Sequence, residues 1–375
     1  MNGELLVLSV RQGGHMESQS GLQMNAPKIF GRLAADGCDP KTAFVVIHPT
    51  SNFMAHYMFD PLQRRGRALL GLNTRYIAND TMLLMERAIQ DLGAGVRELR
   101  DRGYDKIVLV GNSGGGALAA MYQDQAENLT IETTPDGRAI EIAPEDLPPI
   151  DGIALLCAHP GRAVTLREWI DAAVTDEADL LATDAGLDMY NPDNGPPYDA
   201  DWLAKYRDAQ QARCDRLTDW VLARLDELGR GGDAHPARDQ AFVVNRTMAD
   251  PRFLDLSLDA NDREAGTLWG DARTVNYAAN NIGRFTTLRS FLSQWSPRTS
   301  RADGPDCLSR TSVPVLNVEY SADNAVFPSQ VRAWGAAAEG RVTDHMLKGA
   351  PHYLHAHPHF IEEVADVLVQ WADAL

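Results

Sequence analysis

The sequence is poor in cysteine and has no long apolar run. Four of its 375 residues are cysteines (Cys38, Cys157, Cys214 and Cys307), and none has the spacing of a CxxC or metal motif. We therefore predict free, buried thiols of a reducing compartment. No stretch approaches the roughly 20 apolar residues that cross a bilayer. The first residues, with Glu4 among them, lack the pattern of a secretory signal. We expect a cytoplasmic protein without a membrane partner.

Positive charge is also scarce, with 35 Lys and Arg against 52 Asp and Glu, a net charge of −17. Such a surface does not attract nucleic acid or anionic membranes, so we exclude both as partners. The hydrophobic content of 44% and charged content of 23% are ordinary for a soluble globular protein. The length exceeds that of a usual single core, which indicates either a large domain with an insertion or two domains.

What is present is a strand-like run that ends in Gly-x-Ser-x-Gly, within residues 106–120. Ser113 stands at the tip, with Gly111 and Gly115 two positions to either side, and a small-residue helix start follows. This context predicts a nucleophile elbow, in which Ser113 occupies a strained turn and the Gly114 N–H points to where an oxyanion forms. The alternative is a glycine-rich turn or phosphate cradle. However, neither a Walker Gly-Lys-Ser/Thr nor a Gly-x-Gly-x-x-Gly pattern is spelled here.

Apolar strands alternate with helices on both sides of this elbow, which predicts an α/β fold with a doubly wound, mostly parallel sheet. Strands are predicted at 4–10, 28–35, 43–49, 69–73, 106–110, 152–158, 313–320 and 341–347. A Gly/Ser/Gln-rich loop separates the first two, and a surface hairpin is predicted at 129–142. Helices are predicted at 54–64, 81–102 and 358–374.

Few strands are predicted between the strand at 152–158 and the strand at 313–320. Helical stretches there cover 166–174, 202–228 and 281–295. We therefore predict a mainly helical cap at 159–305, inserted into a core made of 1–158 and 306–375. Five of the seven tryptophans lie in this insertion. We expect most of them to pack its own core and one or two to line a ligand pocket.

An acid and a histidine follow the last two predicted strands. Asp323 comes just past the penultimate strand and His352 just past the last one, which with Ser113 gives the order Ser, Asp, His. A serine hydroxyl needs an imidazole to take its proton, and the imidazole needs a carboxylate to fix its tautomer. Glu319 is a weaker candidate for the acid because it sits inside the predicted strand.

Three motifs in this order resemble the α/β-hydrolase superfamily in its capped form. They are Gly-Asn-Ser-Gly-Gly at 111–115, Ser-Ala-Asp-x-x-Val-x-Pro at 321–328, and Gly-Ala-Pro-His at 349–352. The resemblance covers about residues 28–158 and 313–375. It implies Ser113 as nucleophile, His352 as general base, Asp323 as the acid that orients it, and no cofactor.

The loop after the third strand departs from the family pattern, which has His-Gly where this chain has His48-Pro49. By position, the Thr50 N–H is predicted as the second oxyanion donor beside Gly114. Pro49 has no N–H and stiffens the loop, so Ser51 is the alternative donor. We interpret His48 as a structural support of this loop.

The combined interpretation is a serine hydrolase that cleaves a small-molecule ester or lactone through an acyl-enzyme. Dehalogenases and epoxide hydrolases of the superfamily place Asp at the elbow, so Ser113 disfavours both. A C–C bond hydrolase of a ring-cleavage product and a non-catalytic ligand-binding member stay open as alternatives. No metal is expected, because His355, His357 and His359 lack an acidic ligand pair and are better explained by a helix start. A homo-oligomer is also open.

Overall fold

An eight-stranded sheet forms the centre of the computed structural model, which describes residues 3–13, 26–231 and 236–375. Its strand order is β1-β2-β4-β3-β5-β6-β9-β10; β1 and β2 are antiparallel to each other, β2 is antiparallel to β4, and the remaining pairs are parallel. The strands are β1 (Glu4–Ser9), β2 (Lys28–Ala34), β3 (Thr42–His48), β4 (Ala68–Asn73), β5 (Lys106–Asn112), β6 (Gly152–Leu156), β7 (Ala241–Val243), β8 (Phe285–Thr287), β9 (Val315–Tyr320) and β10 (Val342–Leu347). β7 and β8 pair separately as a small antiparallel sheet.

Some of the helices cover the two faces of the large sheet, and others lie in the segment between β6 and β9. They are α1 (Phe59–Arg64), α2 (Met85–Asp101), α3 (Gly115–Glu127), α4 (Arg162–Trp169), α5 (Ala200–Arg230), α6 (Ala272–Tyr277), α7 (Leu288–Gln294), α8 (Gly304–Ser309), α9 (Pro328–Ala337) and α10 (Pro358–Asp373). One apolar core joins the sheet to α2 and α3, and a second joins its other face to α1 and α10. The predicted α/β class with a doubly wound, mostly parallel sheet is confirmed.

The central strands are buried on both faces, which explains their continuous apolar runs. Every residue from Thr42 to Ile47 is buried, as are those from Ile107 to Asn112. A parallel sheet covered by helices on both faces requires such strands, because no side chain points to water. The carboxyl ends of β3, β5, β6, β9 and β10 consequently meet at one edge of the sheet.

The segment between β6 and β9 contains α4 to α8 and the β7–β8 sheet. One apolar cluster inside it joins α4, α5 and α7 through residues such as Leu166, Leu217 and Phe291. A second cluster, which includes Trp169 and Phe253, also contains Phe327, a residue that follows β9. The segment therefore has its own buried side chains and also packs on the part of the chain that carries Asp323.

Several local predictions differ from the structure. The helix expected at 54–64 is instead a 3₁₀ turn, Phe53–Ala55, and α1, because His56 has extended backbone angles between them. The hairpin at 129–142 shows one isolated bridge, Thr133 to Ala139. β7 and β8 are not predicted from sequence, because strands of three residues are too short for a periodic signal. The loop expected between the first two strands lies mostly outside the described residues.

The cysteines form no disulfide. Cys157, Cys214 and Cys307 are buried as expected, whereas Cys38 is half-buried. None of the helices in the described part of the chain combines the length and the apolarity that crossing a bilayer requires.

The turn at the start of α3 generates a stability prediction. A Cβ on Gly115 would lie 2.2 Å from the carbonyl oxygen of Ile47, a backbone atom that cannot move without displacing β3. We expect Gly115→Ala to lower the free energy of unfolding by about 1–3 kcal/mol, measured by urea denaturation. The matched control is Gly229→Ala in α5, where no atom lies within 4 Å of the added methyl. It should leave stability unchanged or raise it by up to about 1 kcal/mol. Equal effects of the two substitutions would contradict this account of the turn.

Candidate active site

Ser113 lies between β5 and α3 in the left-handed backbone region, with φ +54°. Two hydrogen bonds hold it there: its N–H donates to the Leu156 carbonyl (3.0 Å), and its own carbonyl accepts from the His159 N–H (3.0 Å). The flanking glycines make the turn possible, since a Cβ on Gly111 would lie 2.7 Å from the Cα of Gly116. The predicted elbow geometry is therefore present.

The structure brings the three predicted side chains of the Ser-Asp-His order together. Ser113 Oγ lies 3.1 Å from Nε2 of His352, and His352 Nδ1 lies 2.7 Å from Oδ2 of Asp323. The other carboxylate oxygen of Asp323 accepts the N–H groups of Ala325 (2.7 Å) and Val326 (3.0 Å). These bonds fix the carboxylate, so that the neutral His352 ring donates from Nδ1 and presents Nε2 as an acceptor to the serine.

Electrostatics favour a protonated state of His352 more than in free histidine. Burial alone would lower its pKa, but the negative charge of Asp323 and its hydrogen bond raise the pKa well above the ordinary value of 6.5. The buried Cys157 thiol lies beside the pair, and its own pKa is raised by burial. Among the described residues, one group of three His, Cys, Asp or Glu side chains has ligand atoms close enough to share a metal ion. It consists of Cys157, Asp323 and His352. The hydrogen bond between Asp323 and His352 explains why these two side chains lie close together, and the Cys157 thiol donates to the His352 carbonyl (4.0 Å). His355, His357 and His359 form no such group.

The backbone amides predicted as oxyanion donors, at Gly114 and at Thr50 or Ser51, differ in whether they already have an acceptor. The Gly114 N–H at the start of α3 finds no acceptor in the described part of the chain, as an oxyanion donor requires. The N–H groups of Thr50 and Ser51, by contrast, both donate to Nδ1 of His48, at 3.1 and 2.9 Å. Neither amide is available to an oxyanion in this conformation. The second donor expected at Thr50, or at Ser51, stays a prediction that this conformation does not favour.

Other histidines surround the same space. His56 Nε2 donates to the side-chain oxygen of Asn112 (2.9 Å), the residue before Ser113, and burial lowers the pKa of His56 to about 4. His159 follows β6 with its ring 5.7 Å from that of His352. Burial and the nearby His352 lower the pKa of His159 to about 3. Both rings are neutral at physiological pH. Neither histidine is predicted as part of the site from sequence, since isolated histidines carry no motif.

A cavity of about 680 Å³ opens above Ser113. Three tryptophans line it: Trp169, Trp269 and Trp295. Arg162, at the start of α4, also lines it and bonds to Asp80 (2.7 Å) and to the Thr50 hydroxyl (3.0 Å). The segment between β6 and β9 thus supplies much of the wall.

Neither the models of known protein families nor the sequences of curated proteins give a match to this chain. Solved structures do resemble it. A complex of DcsB with its substrate analogue has a TM-score of 0.52 at 14% identity, covering 99% of both chains. An esterase domain from Rhodothermus marinus has a TM-score of 0.47 at 13% identity over 99% of this chain and 98% of that chain. Est1E from Butyrivibrio proteoclasticus has a TM-score of 0.48 at 12% identity over 98% and 99%. The chain has the α/β-hydrolase fold; the likeness extends to the fold alone.

The Asp323–His352 contact generates a titration prediction. In the wild type, NMR titration of the His352 ring should give a midpoint above 6.5. In Asp323→Asn the carboxylate charge is gone while burial remains, so the pKa should fall below its wild-type value. His56 serves as the internal reference, because it should stay neutral between pH 5 and 8 in both proteins. A His352 midpoint that does not move in the variant would contradict the assigned cause.

Proposed function

We propose that this protein is a serine hydrolase that cleaves a carboxylic ester or lactone by way of an acyl-enzyme. The observation that carries the proposal is the continuous hydrogen-bond chain from Ser113 Oγ through His352 to Asp323. The chain begins at a serine that lies at the strained turn of the elbow and lines the cavity. This arrangement has the donor, acceptor and orienting group that nucleophilic acyl transfer needs.

The proposed reaction uses each group at a defined atom. Ser113 Oγ attacks the carbonyl carbon while His352 Nε2 takes its proton, and the carbonyl π-electrons move to an oxyanion that faces the Gly114 N–H. The imidazolium, stabilised by Asp323, then gives its proton to the leaving alkoxide as the acyl–oxygen bond breaks. Water repeats the sequence on the acyl-enzyme and releases the acid.

Charge in the cavity supports a neutral substrate. Outside the triad, the lining includes one cation and one carboxylate, Arg162 and Asp80, which are paired with each other. Burial lowers the pKa values of His48, His56 and His159, which favours their neutral forms. An ester or lactone therefore meets no unpaired charge, whereas an ionic substrate would be desolvated without a partner. The three lining tryptophans add apolar surface, and we infer that residues 159–305 act as a cap over the site.

Covalent labelling tests the proposal most directly. We expect a fluorophosphonate to label Ser113 in the folded protein, with peptide mass spectrometry locating the adduct. Ser113→Ala should abolish the adduct. His352→Ala should slow labelling and lower ester turnover by about 10⁴-fold or more, because the hydroxyl loses its base.

The controls separate the alternatives. His345→Gln, at a surface pair with Glu363, should label at the wild-type rate. No adduct on folded wild type would overturn the hydrolase proposal in favour of ligand binding without turnover. Labelling without turnover of any aryl ester or lactone, together with cleavage of a vinylogous β-diketone, would assign C–C bond hydrolysis instead.

The cavity rim generates a specificity prediction. Trp269 is 47% exposed and lines the cavity, whereas Trp220 on α5 is 43% exposed and does not. Trp269→Ala should raise KM for an aryl ester with a bulky apolar acyl group by roughly fivefold, the loss of about 1 kcal/mol of apolar contact. KM for the acetyl ester should stay within twofold. Trp220→Ala should change neither value. Equal effects of both substitutions on the bulky ester would remove Trp269 from the substrate site.

A further inference from the structure

The ring of His48 is held in one tautomer by the loop that follows it. Two backbone N–H groups, from Thr50 and Ser51, converge on Nδ1. A ring nitrogen that accepts hydrogen bonds carries no proton, so in the neutral ring the proton sits on Nε2. Burial and the nearby charge of Arg162 hold the pKa of His48 well below 6.5, which keeps the ring neutral.

The protonated nitrogen lies against the elbow. A Cβ placed on Gly114 would meet Nε2 of His48 at 2.7 Å, closer than any other atom of the ring. Nε2 has no hydrogen-bond partner among the described residues, and His48 lines the cavity together with Ser113 and Gly114. The ring therefore presents an unused N–H next to the residue whose own amide is the first oxyanion donor.

We propose that His48 donates from Nε2 to the oxyanion formed when Ser113 attacks the substrate, in the place predicted for a backbone amide. This inference rests on the proposed hydrolase function. The amides of Thr50 and Ser51 then act indirectly: they fix the tautomer that makes the side chain a donor. The lack of a side chain at Gly114 is what admits the ring to this position. His48 is a catalytic residue in this account because it touches the reacting oxygen.

Two substitutions distinguish the role of Nδ1 as an acceptor from the role of Nε2 as a donor. In His48→Asn the amide oxygen stands near the position of Nδ1, so the loop keeps its acceptor while the donor at Nε2 is removed. In His48→Gln the amide nitrogen stands near the position of Nε2, so a donor is retained while the loop acceptor is lost. A role confined to supporting the loop predicts that Gln is the more damaging change; a role as oxyanion donor predicts Asn.

The probe is an aryl trifluoromethyl ketone, with the matching trifluoromethyl alcohol as its control. The ketone forms a bond from its carbonyl carbon to Ser113 Oγ, the serine proton passes to His352, and the carbonyl electron pair becomes an oxyanion. The alcohol cannot form this adduct. We expect His48→Asn to weaken ketone inhibition by about 10²–10³-fold and to leave alcohol binding within twofold. His48→Gln should recover at least part of the ketone affinity.

Other results overturn the proposal. Unchanged ketone affinity in His48→Asn would exclude the donor role, as would equal losses for ketone and alcohol, which indicate a collapsed loop. Thr50→Val is a third variant for the same measurement. If Thr50→Val loses ketone affinity and His48→Asn does not, the oxyanion donor is the Thr50 hydroxyl. Fluorophosphonate labelling of Ser113 keeps the two proposals apart. Labelling of wild type and His48→Asn with unchanged ketone affinity would reject only the role of His48, whereas an unlabelled wild type would reject the hydrolase function itself.

Discussion

The candidate site depends on one strained residue. Ser113 occupies the left-handed region, at a cost of about 1–3 kcal/mol for a residue other than glycine. The strain persists because surrounding contacts fix the backbone of the turn. Ser113 forms backbone hydrogen bonds with Leu156 and His159, and Gly115 packs against the Ile47 carbonyl. The same contacts that hold the backbone aim the hydroxyl at His352. Stability and the proposed chemistry therefore share the same glycines.

The elbow could be predicted from sequence because its signature residues, Gly111, Ser113 and Gly115, stand within five positions of one another. The contact that requires Gly111 lies within the turn, at Gly116, whereas the contact that requires Gly115 comes from the Ile47 carbonyl on β3. Asp323 and His352 were predicted from their positions shortly after β9 and β10, although only β9 is largely buried and β10 is mixed in polarity. Strand ends of a parallel sheet meet at one edge, so predicting the strands brings these residues together without knowledge of any long-range contact. Their catalytic roles stay predictions.

The loop after β3 could not be predicted in this way. Position along the chain indicated Thr50, but whether an amide is free depends on what accepts it, and His48 folds back over its own loop to take both amides. No pattern encodes this return of a side chain to the backbone two and three residues later. The polar side chains that line the cavity could not be predicted from sequence either. Arg162 reaches Asp80 and Thr50 across 82 and 112 residues of sequence, and only the folded chain shows these pairs.

Arg162 also connects the two halves of the site. Its guanidinium joins the loop after β3, through Thr50, to Gln294 on α7, and it lies over the ring of Trp295 at 5.0 Å. A movement of the segment between β6 and β9 would therefore pull on the loop that fixes the tautomer of His48. Because Asp80 neutralises Arg162, this connection adds no net charge to the cavity. The segment between β6 and β9 thus supplies cavity wall and is also bonded, through Arg162, to the loop whose amides hold His48.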